Sequence, residues 1–129
     1  MKSYLDLEIY TLSKKLAIEV HKLSMSLPKY ELYEEGQQVR RSSKAIASAI
    51  VEGFARRRYK KDFLKYLVYA HAECDETILH LEFIREIHAG EYALSVDILR
   101  SGYESLSKKI NRYTDWAELH FNFRDTRSS

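Results

Sequence analysis

Proline occurs once in this chain, cysteine once and glycine four times. So few turn-formers exclude architectures that reverse direction every few residues, β-sandwiches and barrels among them. A single cysteine, Cys74, cannot close an internal disulfide. The first ten residues, MKSYLDLEIY, lack the apolar run and small-residue cleavage site of a secretory signal, so a cytoplasmic location is expected. Charges interrupt every segment before the roughly 18 apolar residues of a spanning helix accumulate, so no membrane partner is expected. Catalytic signatures are also missing: there is no Gly-x-Ser-x-Gly elbow, no glycine-rich phosphate loop and no Cys-x-x-Cys, and five scattered histidines form no recognisable triad. The expectation is a protein that is not an enzyme and carries no cofactor.

What the chain does have is helix-forming material with a 3.6-residue period. Its 129 residues, 45% of them hydrophobic, suit one domain with a core of its own. Leu5, Ile9, Leu12, Leu16, Val20, Leu23 and Leu27 step by three or four and predict a first helix over residues 5–27, which Pro28 cannot continue. Glu31, Glu34 and Glu35 sit where anions favour the start of a second helix, placed at residues 32–56. Its stripe is Val39, Ser43, Ile46, Ile50 and Gly53 or Phe54, backed by Ser42, Ala45, Ala47, Ser48 and Ala49, small side chains that let a neighbour approach closely. Gly53 either ends this helix or marks a close contact near its last turn. A third helix over residues 59–88 presents Phe63, Leu67, Ala70, Cys74, Ile78, Leu81 and Ile84 or Arg85, and Ala89-Gly90 stops it. A fourth over residues 91–115 carries Leu94, Ile98 or Leu99, Tyr103, Leu106, Ile110 and Tyr113, with residues 117–129 expected to be a frayed tail. Four such helices joined by short turns predict an all-α, up-down-up-down antiparallel four-helix bundle.

Bundle enzymes with two metal ions need inward glutamates and two Glu-x-x-His pairs, because that spacing puts both ligands on one helical face. No Glu-x-x-His occurs. The nearest arrangement is Glu73, Glu76 and His80 with His71, Cys74 and Asp75 beside them, all on one predicted helix, which rarely completes a site alone. Glu73, Asp75, Glu76 and His80 therefore read as a solvated face and Cys74 as a buried apolar filler, with no metal.

The net charge of +2 hides an uneven distribution. Residues 37–66 carry nine basic and two acidic side chains, net +7, while residues 1–36 are at −1 and residues 67–129 at −4. A cluster of that size makes a local, salt-sensitive field able to attract phosphates. The candidate contacts are Arg40, Arg41, Arg56, Arg57, Arg58, Lys60 and Lys61, with Tyr59 and Phe54 as aromatic faces on which an unpaired base could stack. Two other uses stay open: a loop that merely solubilises the bundle, or arginines paired with Glu52, Asp62 or helix-three carboxylates of a neighbouring subunit. Ten tyrosines, with Tyr59, Tyr66 and Tyr69 off the main stripe of helix three, add aromatic surface that favours a homo-oligomer.

Several short elements carry a family resemblance. They are Leu5-x-x-x-Ile9-Tyr10, Leu27-Pro28-Lys29, Gln38-Val39-Arg40-Arg41-Ser42, Ile50-Val51-Glu52-Gly53-Phe54-Ala55-Arg56-Arg57 and Lys60-Lys61-Asp62-Phe63, followed by a helical run to Glu82. In order and spacing this resembles the bacterial four-helix-bundle proteins encoded in intervening sequences of 23S ribosomal RNA genes. The family usually shows Ile-Pro-Ala-Asn-Ile before the Glu-Gly; here Ala47 stands at the proline position and Ala49 at the asparagine position, which removes a kink and a polar side chain. The resemblance implies a ring-like homopentamer associated with ribosomal RNA chiefly by gene location. Similar bundles serve as accessory subunits that bind a reverse transcriptase and nucleic acid, so the alternative expectation is a protein-interaction scaffold or accessory subunit.

Overall fold

The computed structural model describes residues 3–121. Its four α-helices are α1 (Glu8–Met25), α2 (Glu35–Ala55), α3 (Lys60–Ile87) and α4 (Ala93–His120), with 3-10 turns at Tyr4–Asp6 and Lys29–Glu31. Helix α1 packs on α2, α2 on α3 and α3 on α4, and α4 closes back on α1. Short connections between sequential neighbours make this the up-down-up-down, all-α bundle expected of the pattern. Among the described residues no helix is long and apolar enough to cross a membrane.

The first helix starts later than its periodicity predicts, and the cause is local. Ser3 Oγ accepts from the Leu5 N–H (3.1 Å) while the Asp6 carboxylate accepts from the Ser3 N–H (3.3 Å), a reciprocal cap that holds a 3-10 turn. Leu7 then takes an extended conformation, so the helical phase is broken: Leu7 enters the core and Leu5 faces solvent. At the other end Pro28 disfavours helical geometry for Leu27, and α1 stops at Met25 with the Ser26 hydroxyl donating to Leu23 O (2.6 Å).

In α2 the stripe of Val39, Ser43, Ile46, Ile50 and Phe54 is buried as the pattern requires. The helix runs unbroken through Ala47. The α2–α3 seam is made close by small residues: Ser42 Oγ lies 2.9 Å from Thr77 Oγ1, which also donates to Glu73 O (2.8 Å). Gly53 lies inside the last turn rather than capping it, and a Cβ there would sit 2.8 Å from Tyr66 Cβ. Of the two roles open to it, close approach is the one observed.

Helix α3 buries Phe63, Leu67, Ala70, Cys74, Thr77, Leu81 and Ile84, and ends at Ile87 before Ala89 (φ 49°) and Gly90 (φ 87°) turn the chain in left-handed conformations. Helix α4 buries Val96, Leu99, Tyr103, Leu106 and Ile110, while Leu94, expected inside, is exposed. The expected frayed tail is corrected at its start. Helix α4 continues to His120 because Ala117 is fully buried and Phe121 packs its ring 5.0 Å from Phe63. The rest of that tail, residues 122–129, lies outside the described residues.

Candidate nucleic-acid interface

The connection between α2 and α3 is a tight turn whose backbone is closed by the Arg57 N–H to Phe54 O (3.2 Å) and the Tyr59 N–H to Arg56 O (2.9 Å). It therefore holds Arg56, Arg57, Arg58, Tyr59, Lys60 and Lys61 within one compact stretch at one end of the bundle. Arg57 lies over the buried Phe54 ring, its guanidinium 4.2 Å from the centroid, and donates to Phe54 O (2.9 Å). Arg56 reaches Glu52 (3.7 Å) and Asp62 (3.6 Å) at ion-pair distance and lies 5.4 Å from the Tyr66 ring centroid. Arg58 extends over the exposed Tyr59 ring (5.9 Å). Arg58 and Lys61 have no carboxylate partner among the described residues and are exposed.

The other two predicted arginines lie elsewhere. Arg40 and Arg56 are separated by about 24 Å along α2 at 1.5 Å per residue. Arg40 donates to Leu32 O (2.7 Å) and to Ser24 Oγ (3.1 Å), tying the α1–α2 connection to α1. Those bonds make Arg40 an internal strut and remove it from the phosphate-facing set. Arg41 is exposed but pairs with Glu76 on α3 (2.6 Å). Of the carboxylates expected for intersubunit pairing, Glu52, Asp62 and Glu76 are within ion-pair distance of arginines of the same chain, while Asp75 on α3 is exposed.

The α3 acidic group also departs from the expected solvated face. His80 is largely enclosed, with Nδ1 2.7 Å from Glu35 Oε2 and Nε2 3.7 Å from Glu76 Oε1, so it pins α3 to the start of α2. Asp75 is exposed, while Glu73 is half-buried, and burial followed by the Glu76 charge holds its carboxyl above the ordinary carboxylate value. Cys74 is the buried filler expected, its thiol pushed up to about 12 by burial. Among the described residues no group of three or more His, Cys, Asp or Glu side chains is arranged to hold a metal ion.

Two features at these ends were missed by sequence reasoning. Glu31, read only as a helix-start anion, is buried: one carboxylate oxygen accepts from the Glu35 N–H (3.1 Å) and the other lies 3.0 Å from His88 Nε2. At the opposite end, Phe54, Phe63, Tyr113, Phe121 and Trp116 form a continuous series of ring contacts beside the basic turn. Trp116 lay beyond the predicted end of the fourth helix, so no periodic signal marked it.

The fold and surface define an all-α four-helix bundle with a cationic, aromatic-rich end. Residues 5–112 match the family model described as 23S rRNA-intervening sequence protein. The chain belongs to that family. No curated protein matches it.

Proposed function

We propose that this chain is a non-enzymatic, cytoplasmic, self-associating protein that binds RNA through phosphate contacts from the turn between α2 and α3. The observation that carries the reading is the compact turn itself. It gathers Arg57, Arg58 and Lys61 without a carboxylate partner among the described residues, next to the exposed ring of Tyr59, whereas Phe54, expected as a second stacking face, is buried in the core under Arg57. Guanidinium groups beside an exposed ring suit phosphates flanked by unpaired bases. Lys60 stands in the same turn, Arg56 shares its charge with Glu52 and Asp62, and Arg41 belongs to the α2–α3 seam.

Self-association is supported by α3, which exposes large apolar side chains on the side away from the core. Opposite its buried stripe, Val68, Ala72, Leu79 and Phe83 fall on one outward face, with Val68 58%, Leu79 50% and Phe83 41% exposed and the exposed carboxylates of Asp75 and Glu86 set among them. A second copy covering that face gives the homo-oligomer, a pentamer by family likeness, and repeats the cationic turn in each subunit. The same face favours the second reading, a scaffold or accessory subunit that docks another protein. Sedimentation at micromolar concentration separates these readings: an oligomer supports self-association, and a monomer leaves the face to a foreign partner.

The RNA reading is tested by changing Arg56, Arg57 and Arg58 together to Ala and following binding to ribosomal RNA fragments across a salt series. Each lost phosphate contact should lower the slope of log affinity against log salt by about 0.7 for a single strand. Wild-type protein with no salt-dependent binding sinks the reading.

A further inference from the structure

We infer that Trp116 is a base-stacking platform, so that the basic end of the bundle selects single-stranded RNA with unpaired bases over duplex. This rests on the reading of the turn as a phosphate site and deepens it.

The placement comes from a ladder of rings. Phe54, under the Arg57 guanidinium, meets Phe63 at 6.3 Å edge-on, and Phe63 meets Tyr113 at 6.2 Å. Tyr113 stacks on Trp116 with centroids 5.8 Å apart and planes 30° apart. Phe121 closes the group, 5.0 Å from Phe63 and 6.3 Å edge-on to Trp116. Phe63 is fully buried, so the inner part of the ladder is core, whereas Trp116 is 47% exposed. The indole is held by Tyr113, His120 and Phe121 yet stays half-exposed, so a ring added to its accessible part stacks with little further ordering. Arg57 connects ladder and turn: burial pushes the Tyr113 hydroxyl up to about 12, and the positive Arg57 opposes that shift from nearby.

The charge around the ring is mixed, with Arg112 sharing a cleft with Asp6, Glu8 and Lys109, and its cations are the groups a phosphate would meet. Arg112, Trp116 and His120 are spaced four apart and share one face of α4, with His120 tilted against the indole at 6.1 Å. Asp115 and Glu118, one and two residues away, project to other sides of the helix. A strand with its phosphates on Arg57 and Arg58 would therefore meet a ring framed by a guanidinium and an imidazole. Paired bases hide their faces within the stack and cannot use this ring.

Trp116 is the chain's one tryptophan, so its fluorescence reports the site directly. Full-length protein is titrated with a mixed-sequence single-stranded RNA oligonucleotide and with its duplex. The expected result is strong, saturable quenching by the single strand and little by the duplex. Trp116→Ala should weaken single-strand binding, read by anisotropy of labelled RNA, about five- to a hundredfold, with most of it retained in Trp116→Phe. Salt-dependent binding with no quenching and an unaltered Trp116→Ala affinity overturns the platform and leaves the phosphate site standing. Equal quenching by duplex overturns it as well, and no binding to either RNA overturns both. Quenching is measured on wild type, so a poorly folded alanine variant does not remove the test.

Discussion

Two glycines inside helices should respond in opposite directions to the same substitution. Replacing glycine by alanine within a helix gains roughly 0.8–1 kcal/mol from propensity alone. At Gly53 the added Cβ would sit 2.8 Å from Tyr66 Cβ and 3.4 Å from the Phe63 carbonyl oxygen. Carbon atoms pack best at about 3.5–4.0 Å. Tyr66 Cβ is bonded directly to the α3 backbone and cannot swing aside, so the first turns of α3 must move off α2. Overpacking of this kind costs about 1–3 kcal/mol, which outweighs the propensity gain and leaves Gly53→Ala destabilised by roughly 1 kcal/mol. At Gly102 the nearest atom is equally close, 2.7 Å, but it is Leu16 Cδ2, the far end of a flexible side chain. Rotation of that methyl relieves the contact, and Gly102→Ala should be neutral or stabilised by up to about 1 kcal/mol. Thermal and urea unfolding of both variants would read the difference, with about 3–5 °C in Tm per kcal/mol for a chain of this size. The Gly53 shift also has a functional readout, because Tyr66 holds Arg56 by a cation–π contact and α3 begins where the basic turn ends. Gly53→Ala should weaken RNA binding while Gly102→Ala leaves it alone. A Gly53→Ala protein as stable as wild type, or more stable than Gly102→Ala, would refute the close-approach argument.

Truncating the buried Glu31 by Glu31→Ala should cost about 3 kcal/mol in chemical denaturation, because it orphans His88 and the Glu35 N–H together. Arg85→Ala, which breaks the exposed pair with Asp97, should leave the unfolding midpoint nearly unchanged; equal losses would show that burial of Glu31 is not what matters. Cys74 should resist thiol reagents in the native state near pH 8 and react once the chain is unfolded. The same burial gives a signed pH dependence. The folded thiol titrates at about 12 against an ordinary 9, so its contribution is present below about pH 9 and is lost as pH climbs towards 12, where the unfolded chain gives up the proton first. Rapid native-state labelling at pH 8 would contradict this.

Helix type and core face were legible in the sequence because burial repeats with the helical period. Val39, Ser43, Ile46, Ile50 and Phe54 could be read as one stripe and are one. Errors cluster where a local hydrogen bond or a single small residue overrules the period. The Ser3–Asp6 cap rephased the chain, exchanging Leu5 for Leu7, and one alanine, Ala117, was too weak a signal to extend the fourth helix to His120. Pairings across elements were less legible still. Nothing in the spacing of Glu31 and His88, 57 residues apart, announces that they meet. The basic turn was visible as composition, but that Arg40 is an internal strut depends on the carbonyl of Leu32 lying under it.

The same pairings change what the central charge can do. In sequence, residues 37–66 present a net +7, as though all of it faced outward. In the fold Arg41 is matched by Glu76, Arg56 by Glu52 and Asp62, and Lys65 also approaches Asp62 (4.0 Å), while Arg40 is turned inward onto a carbonyl and a serine. The field that reaches solvent is consequently smaller and more localised than the count implies, centred on Arg57, Arg58 and Lys61 at one end. A few cations with a short screening length hold a polyanion weakly on their own. Tight binding then requires that the weak site be repeated in an oligomer, or that it be joined to a contact which salt does not screen. The proposed readings supply one of each: exposed apolar side chains on α3 for a second copy to cover, and a half-exposed indole beside the turn.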